Sequence, residues 1–197
     1  SHEKAVPFIN ELCDLIANPD RLLPGGYLYL TDILGNPQVV QKAGRIIASA
    51  YTDAKIDVVM TVATKGIPLA YAVASQLNVP VVIVRRDSKV TEGPTVSINY
   101  VSGSTKRIQT MVLSKRSMKE GSRVLIVDDF MKAGGTVMGM ISLLEEFNGQ
   151  LAGIAVLVEA EKIQERLVDE YTSLVQLANV DVKEKQINVQ AGNYLKK

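Results

Sequence analysis

The chain has 197 residues, 47% hydrophobic and 22% charged, the profile of a folded α/β-sized domain with one sizeable core. Its formal net charge of +1 excludes a uniformly basic nucleic-acid surface. A lone cysteine excludes a disulfide framework, and a lone histidine excludes both a histidine-based triad and a histidine-ligated metal. No signal peptide or membrane-spanning apolar run is present, so a reducing, cytoplasmic location without a membrane partner is expected.

Val6, Ile9, Leu12, Cys13, Leu15 and Ile16 recur at helical spacing and predict an amphipathic helix or lid, with Cys13 a small buried hydrophobe and Asn18-Pro19-Asp20 the stop. Pro24-Gly25-Gly26 predicts a turn into a short strand, Tyr27 to Leu30, with Tyr29 in the core. Asn36 and Pro37 supply an N-cap and first-turn pair for a helix carrying Val39, Val40, Ala43, Ile46, Ile47 and Ala50. A buried strand from Asp57 to Val62 leads through Ala63-Thr64-Lys65-Gly66 into a helix around Leu69 to Leu77, and a further strand, Val81 to Val84, ends at Arg85-Arg86. Strands alternating with helices imply βαβ units, a largely parallel sheet and a single domain over residues 1–197. Residues 87–121 lose the apolar rhythm and gain Lys106, Arg107, Lys115, Arg116 and Lys119, which reads as a hairpin or mobile loop with a solvated basic face.

The most informative stretch runs from Val124 to Thr136. Val124-Leu125-Ile126-Val127 reads as a strand covered on both faces, with Asp128 and Asp129 marking its exit. Gly134-Gly135-Thr136 then opens a helix with Val137, Met138, Ile141 and Leu144 on one side. Glycines at a helix start let backbone N–H groups approach a phosphate, the helix dipole adds attraction, and the Thr136 hydroxyl can donate. Ionised carboxylates only accept hydrogen bonds, and a ribose diol offers two donors to the acid pair. Beyond the motif, a strand is expected from Leu151 to Val158, a short helical piece near Ile163 to Val168, a strand from Ser173 to Leu177, and then a polar tail.

Strand, acid pair, short loop and Gly-Gly-Thr together resemble the motif that binds phosphoribosyl pyrophosphate (PRPP) in type I phosphoribosyltransferases. The nucleotide-triphosphate motif GxxxxGK[ST] is absent. The resemblance implies an α/β phosphoribosyltransferase fold: a mostly parallel central sheet flanked by helices, with a small hood. Ala63-Thr64-Lys65-Gly66 resembles the pyrophosphate loop of the same enzymes, and Arg85, Arg86 and Lys89 are similar to a basic cluster that contacts pyrophosphate. The run from Gly26 to Ile33 looks like the purine-receiving hood of the adenine enzymes, which places Tyr27 and Phe130 beside the base. On this reading Asp128 and Asp129 hold the ribose hydroxyls. Phe130 and Met131 continue the binding segment, Ala133 to Thr136 hold the 5′-phosphate, and Lys65 with Lys132 hold the second phosphate group.

The chain departs from the enzymes in one loop. Active members carry Ala-Thr-Gly-Gly-Thr where this chain has Lys132-Ala133-Gly134-Gly135-Thr136, so a phosphate-donating hydroxyl is lost and a point charge gained. The Glu-Tyr pattern of the adenine enzymes' mobile loop has no clear counterpart in residues 99–104. This variant resembles the purine operon repressor family of Gram-positive bacteria. That likeness implies a non-catalytic, homodimeric effector-sensing domain of a repressor of purine biosynthesis genes. It would bind PRPP and competing purine nucleotides, and act on operator DNA through an N-terminal winged helix expected before Glu3. No cofactor is required on this reading, and Mg²⁺ enters only with PRPP. The alternative is an active purine phosphoribosyltransferase using xanthine or adenine.

Overall fold

A computed structural model describes residues 2–102, 106–160 and 166–197. Helix α1 (His2–Ile16) is followed by two 3-10 turns, a single helical turn α2 (Thr31–Leu34) and α3 (Pro37–Ser49). Strand β1 (Val58–Val62), α4 (Ile67–Leu77) and β2 (Val81–Val84) form the first βαβ unit. A hairpin, β3 (Thr95–Val101) and β4 (Ile108–Ser114), precedes β5 (Arg123–Met131), α5 (Gly135–Glu146) and β6 (Gln150–Glu159). β7 (Thr172–Asp181), β8 (Gln186–Ala191) and a 3-10 turn at Asn193–Lys196 follow.

The central sheet has the order β2-β1-β5-β6-β7-β8, parallel except for β8, which pairs antiparallel with β7 at the edge. Period-two alternation divides its residues between two apolar layers. Val59, Leu125, Val127 and Ala155 face a layer built from α1, α3 and α4, whereas Met60, Val124, Ile126 and Val156 face α5 and the β3–β4 hairpin. Burial on both sides explains the unbroken apolar runs Val58-Val59-Met60 in β1 and Val124 to Val127 in β5.

Local chemistry fixes several ends. The Asn36 side chain accepts from the Gln38 and Val39 amides at 3.1 and 3.3 Å, with Pro37 in the first turn of α3. Asn36→Ala is therefore expected to cost about 1 kcal/mol, read as a fall of about 2–4 °C in a thermal melt. An unchanged melt would mean that α3 is held by packing alone. Arg21 ties the hood together: its Nε donates to the Leu15 carbonyl at 2.5 Å and Nη1 to the Tyr29 carbonyl at 3.0 Å. Nη1 and Nη2 also form a two-pronged pair with Asp32 at 2.5 and 2.9 Å. The Arg21 hydrogen bond holds the Asp32 carboxyl below its ordinary range.

The structure corrects several expectations. Residues 27–30 form no strand; a single bridge, Leu22 with Leu28, is their only ladder contact, and Tyr29 is 48% exposed rather than in the core. Asp128 and Asp129 lie within β5 and not at its exit, because β6 runs on beside them and pairs Asp128 with Val156 and Met131 with Glu159. α1 is no lid, since Ile9, Leu12 and Ile16 are fully buried, and Cys13 is only half-buried. The basic stretch is a hairpin, with its tip at 103–105 outside the described residues. The last strand runs on to Asp181, and the polar tail contains β8. Of the helical piece expected near 163–168, residues 161–165 lie outside the described residues and 166–168 are not helical. Among the described residues no helix is long and apolar enough to cross a membrane.

Candidate functional site

β1 and β5 pair only from Val58 with Val124 to Met60 with Ile126. Beyond Met60 they part, at the point where the strand order changes direction. In an open parallel sheet the carboxyl ends of strands at such a point leave a crevice for ligands. Here it is a cleft of about 570 Å³. Lys65, Asp128 to Thr136 and Tyr27 line it, so ten of the expected residues and the hood tyrosine come from three separate loops and strands to one space.

Asp128 is 6% exposed and accepts a hydrogen bond from the Asp129 amide at 2.9 Å. Burial pushes its carboxyl well above the usual range, the Asp129 charge pushes the same way, and Arg86 pulls weakly against them. Beside them Gly134 has φ +96°, a left-handed conformation that suits glycine, and it opens α5 with Gly135 and Thr136 following. The first N–H groups of a helix lack intrahelical acceptors, so this end presents donors to the cleft.

The Ala63–Gly66 loop abuts the acids from the β1 side. The Ala63–Thr64 peptide is cis. A Cβ on Gly66 would overlap Thr61 Oγ1 and stand 2.9 Å from Asp128 Oδ1, so only glycine lets this loop close on β5. Thr61 is fully buried, and its hydroxyl has no hydrogen-bond partner among the described residues. Only Lys65 of this loop reaches the cleft lining; Ala63, Thr64 and Gly66, expected in the site, do not line it.

The basic cluster is not gathered in. Arg85 pairs with Glu92 at 3.0 Å and Lys89 with Asp87 at 2.7 Å, and neither lines the cleft. Arg86 also lies outside the lining, but close enough for its charge to act on Asp128. Conversely, the sequence reading missed Leu177, Asn179 and Val180, which line the cleft from β7. Their pairing with β8 shifts register between Leu177 and Asn179, and such an irregularity re-aims side chains. The available signal was positional: β7 is parallel to β6, so its carboxyl end shares the ligand edge.

The cleft thus changes character along the sheet. A cation stands at the β1 end, acids and helix-start amides occupy the middle, and an apolar slot with one amide, Asn179, lies at the β7 end. That gradient suits an elongated ligand with an anionic end, hydroxyls and a flat apolar group. The acids lining it are Asp128 and Asp129, too few for an all-protein cage around Mg²⁺. Among the described residues no cluster of three or more His, Cys, Asp or Glu could hold a metal ion.

Comparisons with known proteins agree with this architecture. The phosphoribosyl transferase domain family matches residues 30–191. The purine biosynthesis transcriptional repressor PurR of Bacillus subtilis is 67% identical over 193 residues, covering 98% of this chain and 68% of that protein. The purine biosynthesis transcriptional activator PurR of Lactococcus lactis is 52% identical over 191 residues, covering 97% and 70%. Among solved structures, the adenine phosphoribosyltransferase of Rhodothermus marinus superposes with a TM-score of 0.72 at 25% identity, covering 87% of this chain and 99% of that one. The chain belongs to the phosphoribosyltransferase-domain family and, within it, to the PurR group of purine biosynthesis transcriptional regulators.

Proposed function

We propose that this domain senses PRPP and phosphorylated purine nucleotides in the cleft between β1 and β5, and that occupancy sets operator DNA binding by an N-terminal winged helix. The observation that carries the reading is the meeting of Asp128 and Asp129 with the amino end of α5 in one crevice, with Lys65 on its other wall. Ribose hydroxyls donate to the acids, the 5′-phosphate accepts from Gly134 to Thr136, and the pyrophosphate lies toward Lys65 and Lys132. Mg²⁺ enters with PRPP, held through the ligand's own oxygens. The domain acts as a homodimer.

Regulation follows from linkage: a ligand shifts an equilibrium only by its differential affinity for the two states. PRPP and a nucleotide share the ribose phosphate site, but only the nucleotide brings a base to Tyr27, Phe130 and the Asn179 end. Two competing ligands that fill different parts of the cleft can therefore favour different states. Ala133 and Lys132 support binding over turnover. The first removes a hydroxyl donor, and the second adds a charge that retains a pyrophosphate leaving group.

Calorimetric titration with PRPP and Mg²⁺ is expected to show saturable binding that purine nucleotides displace, while mixtures with adenine, xanthine, guanine or hypoxanthine release no pyrophosphate. Steady pyrophosphate release would establish a working transferase instead. No heat with PRPP or any nucleotide would end the sensor reading.

A further inference from the structure

A buried network behind the cleft fastens the segment after β6 to the phosphate loop. Glu159 is 3% exposed, and its carboxylate accepts from Gln176 Nε2 at 2.8 Å and from Arg166 Nη1 at 3.3 Å. Arg166 Nη1 also donates to the Tyr171 hydroxyl at 2.5 Å, and Nη2 donates to the Ala160 carbonyl at 2.6 Å. Stability alone is a weak account of such a group, because desolvating two charges cancels most of their attraction.

Its location supplies a better one. The Ala160 amide donates to the Met131 carbonyl at 2.8 Å, and the Leu167 amide donates to the Ala133 carbonyl at 2.9 Å. Arg166 is bonded to the first of these residues and adjoins the second in sequence. Val168 follows and presses on the helix start: a Cβ on Gly134 would stand 3.0 Å from Val168 Cγ2. Both ends of the 131–134 turn are therefore held by residues that Arg166 bonds or adjoins, Ala160 at one end and Leu167 with Val168 at the other.

In a planar trans peptide the carbonyl and the following N–H point in opposite directions. Drawing the Met131 and Ala133 carbonyls toward residues 160 and 167 turns the Lys132 and Gly134 amides the other way, and both of these residues line the cleft. We infer that Arg166, through its bonds to Glu159 and Ala160, is a positioning residue that presets the Lys132 and Gly134 amides as donors to the 5′-phosphate of a bound sugar phosphate. This deepens the reading of the cleft given under Proposed function and rests on it. Donors oriented before binding spare the ligand their ordering cost.

Removing Arg166 alone strands a buried carboxylate and can unfold the chain. The test therefore combines Arg166→Met with Glu159→Gln, which keeps a partner for Gln176, and adds Tyr171→Phe as a milder variant that removes no charge, only the hydroxyl bonded to Arg166. Calorimetry with ribose 5-phosphate and with pyrophosphate reads the two ends of the cleft separately. The double variant is expected to bind ribose 5-phosphate about tenfold more weakly, the equivalent of one well-made hydrogen bond, and pyrophosphate as the parent does. Tyr171→Phe is expected to give a smaller loss with the same selectivity, and it decides the matter should the double variant not fold. Unchanged ribose 5-phosphate affinity in a folded variant, or equal losses for both ligands, overturns the positioning role alone. Failure of the parent to bind PRPP or ribose 5-phosphate overturns the cleft reading and this role with it.

Discussion

Gly66→Ala is expected to abolish measurable PRPP binding while leaving a folded, less stable protein. The new methyl group would overlap Thr61 Oγ1 and stand 2.9 Å from Asp128 Oδ1 and 3.5 Å from Asp128 Cα. Neither neighbour can give way, because Thr61 is fully buried in β1 and Asp128 is held by its ladder with β6. The Ala63–Gly66 loop must move instead, carrying Lys65 away from the acids. Overpacking of this kind costs about 1–3 kcal/mol, a fall of roughly 2–12 °C in the melting temperature of a chain this long. Gly93→Ala is the control: its φ of +66° is strained for alanine, but nothing lies within 4 Å of the added methyl. It should lose about 1 kcal/mol and keep full PRPP affinity. A Gly66→Ala protein that binds PRPP like the parent would show that the loop has no part in the site.

Asp128→Asn should stabilise the unliganded protein near neutral pH and weaken its ligand. Burial, and then the Asp129 charge, raise the folded-state pKa of Asp128 above its unfolded value. A group shifted in that direction contributes its stability fully below the unfolded pKa and loses it as pH rises through the folded one. The parent therefore carries a penalty at neutral pH that the amide variant, which does not titrate, escapes. The Asn oxygen can still accept the Asp129 amide. Melts of the two proteins should diverge toward neutral pH, with the variant higher, and converge in acid. Losing an ionised acceptor for a ribose hydroxyl costs about 1.5–3 kcal/mol, or about 10- to 150-fold in PRPP affinity. A variant less stable than its parent at neutral pH would refute the burial argument, and one with unchanged affinity would refute the ribose role.

The parts of this molecule that are legible in its sequence are those where one physical signal dominates. The apolar runs Val58-Val59-Met60 and Val124 to Val127 read as doubly covered strands, and Gly134-Gly135-Thr136 after an acid pair reads as a helix start at a ligand edge. Other parts depend on neighbours remote in sequence. Tyr27 to Leu30 has strand-like residues, yet no strand lies alongside to pair with it. β8 reads as tail because three of its residues are glutamine or asparagine, but Ile187 is buried and β7 offers it an edge. Arg85 and Lys89 have the right charge for a pyrophosphate, but Glu92 and Asp87 engage them first. Asn179 and Arg166 carry no motif at all; only the fold brings the first to the cleft lining and the second to Glu159 and Ala160 beside the 131–134 turn.

The Arg21 guanidinium grips the last turn of α1 at the Leu15 carbonyl and the Tyr29–Asp32 stretch of the hood with its other nitrogens. One flat, permanently charged rivet thus joins α1 to the ceiling of the cleft that holds Asp128 and Asp129. Tilting that helix as a rigid bar would drag the ceiling with it, and pressure on the ceiling from below would be felt at the helix.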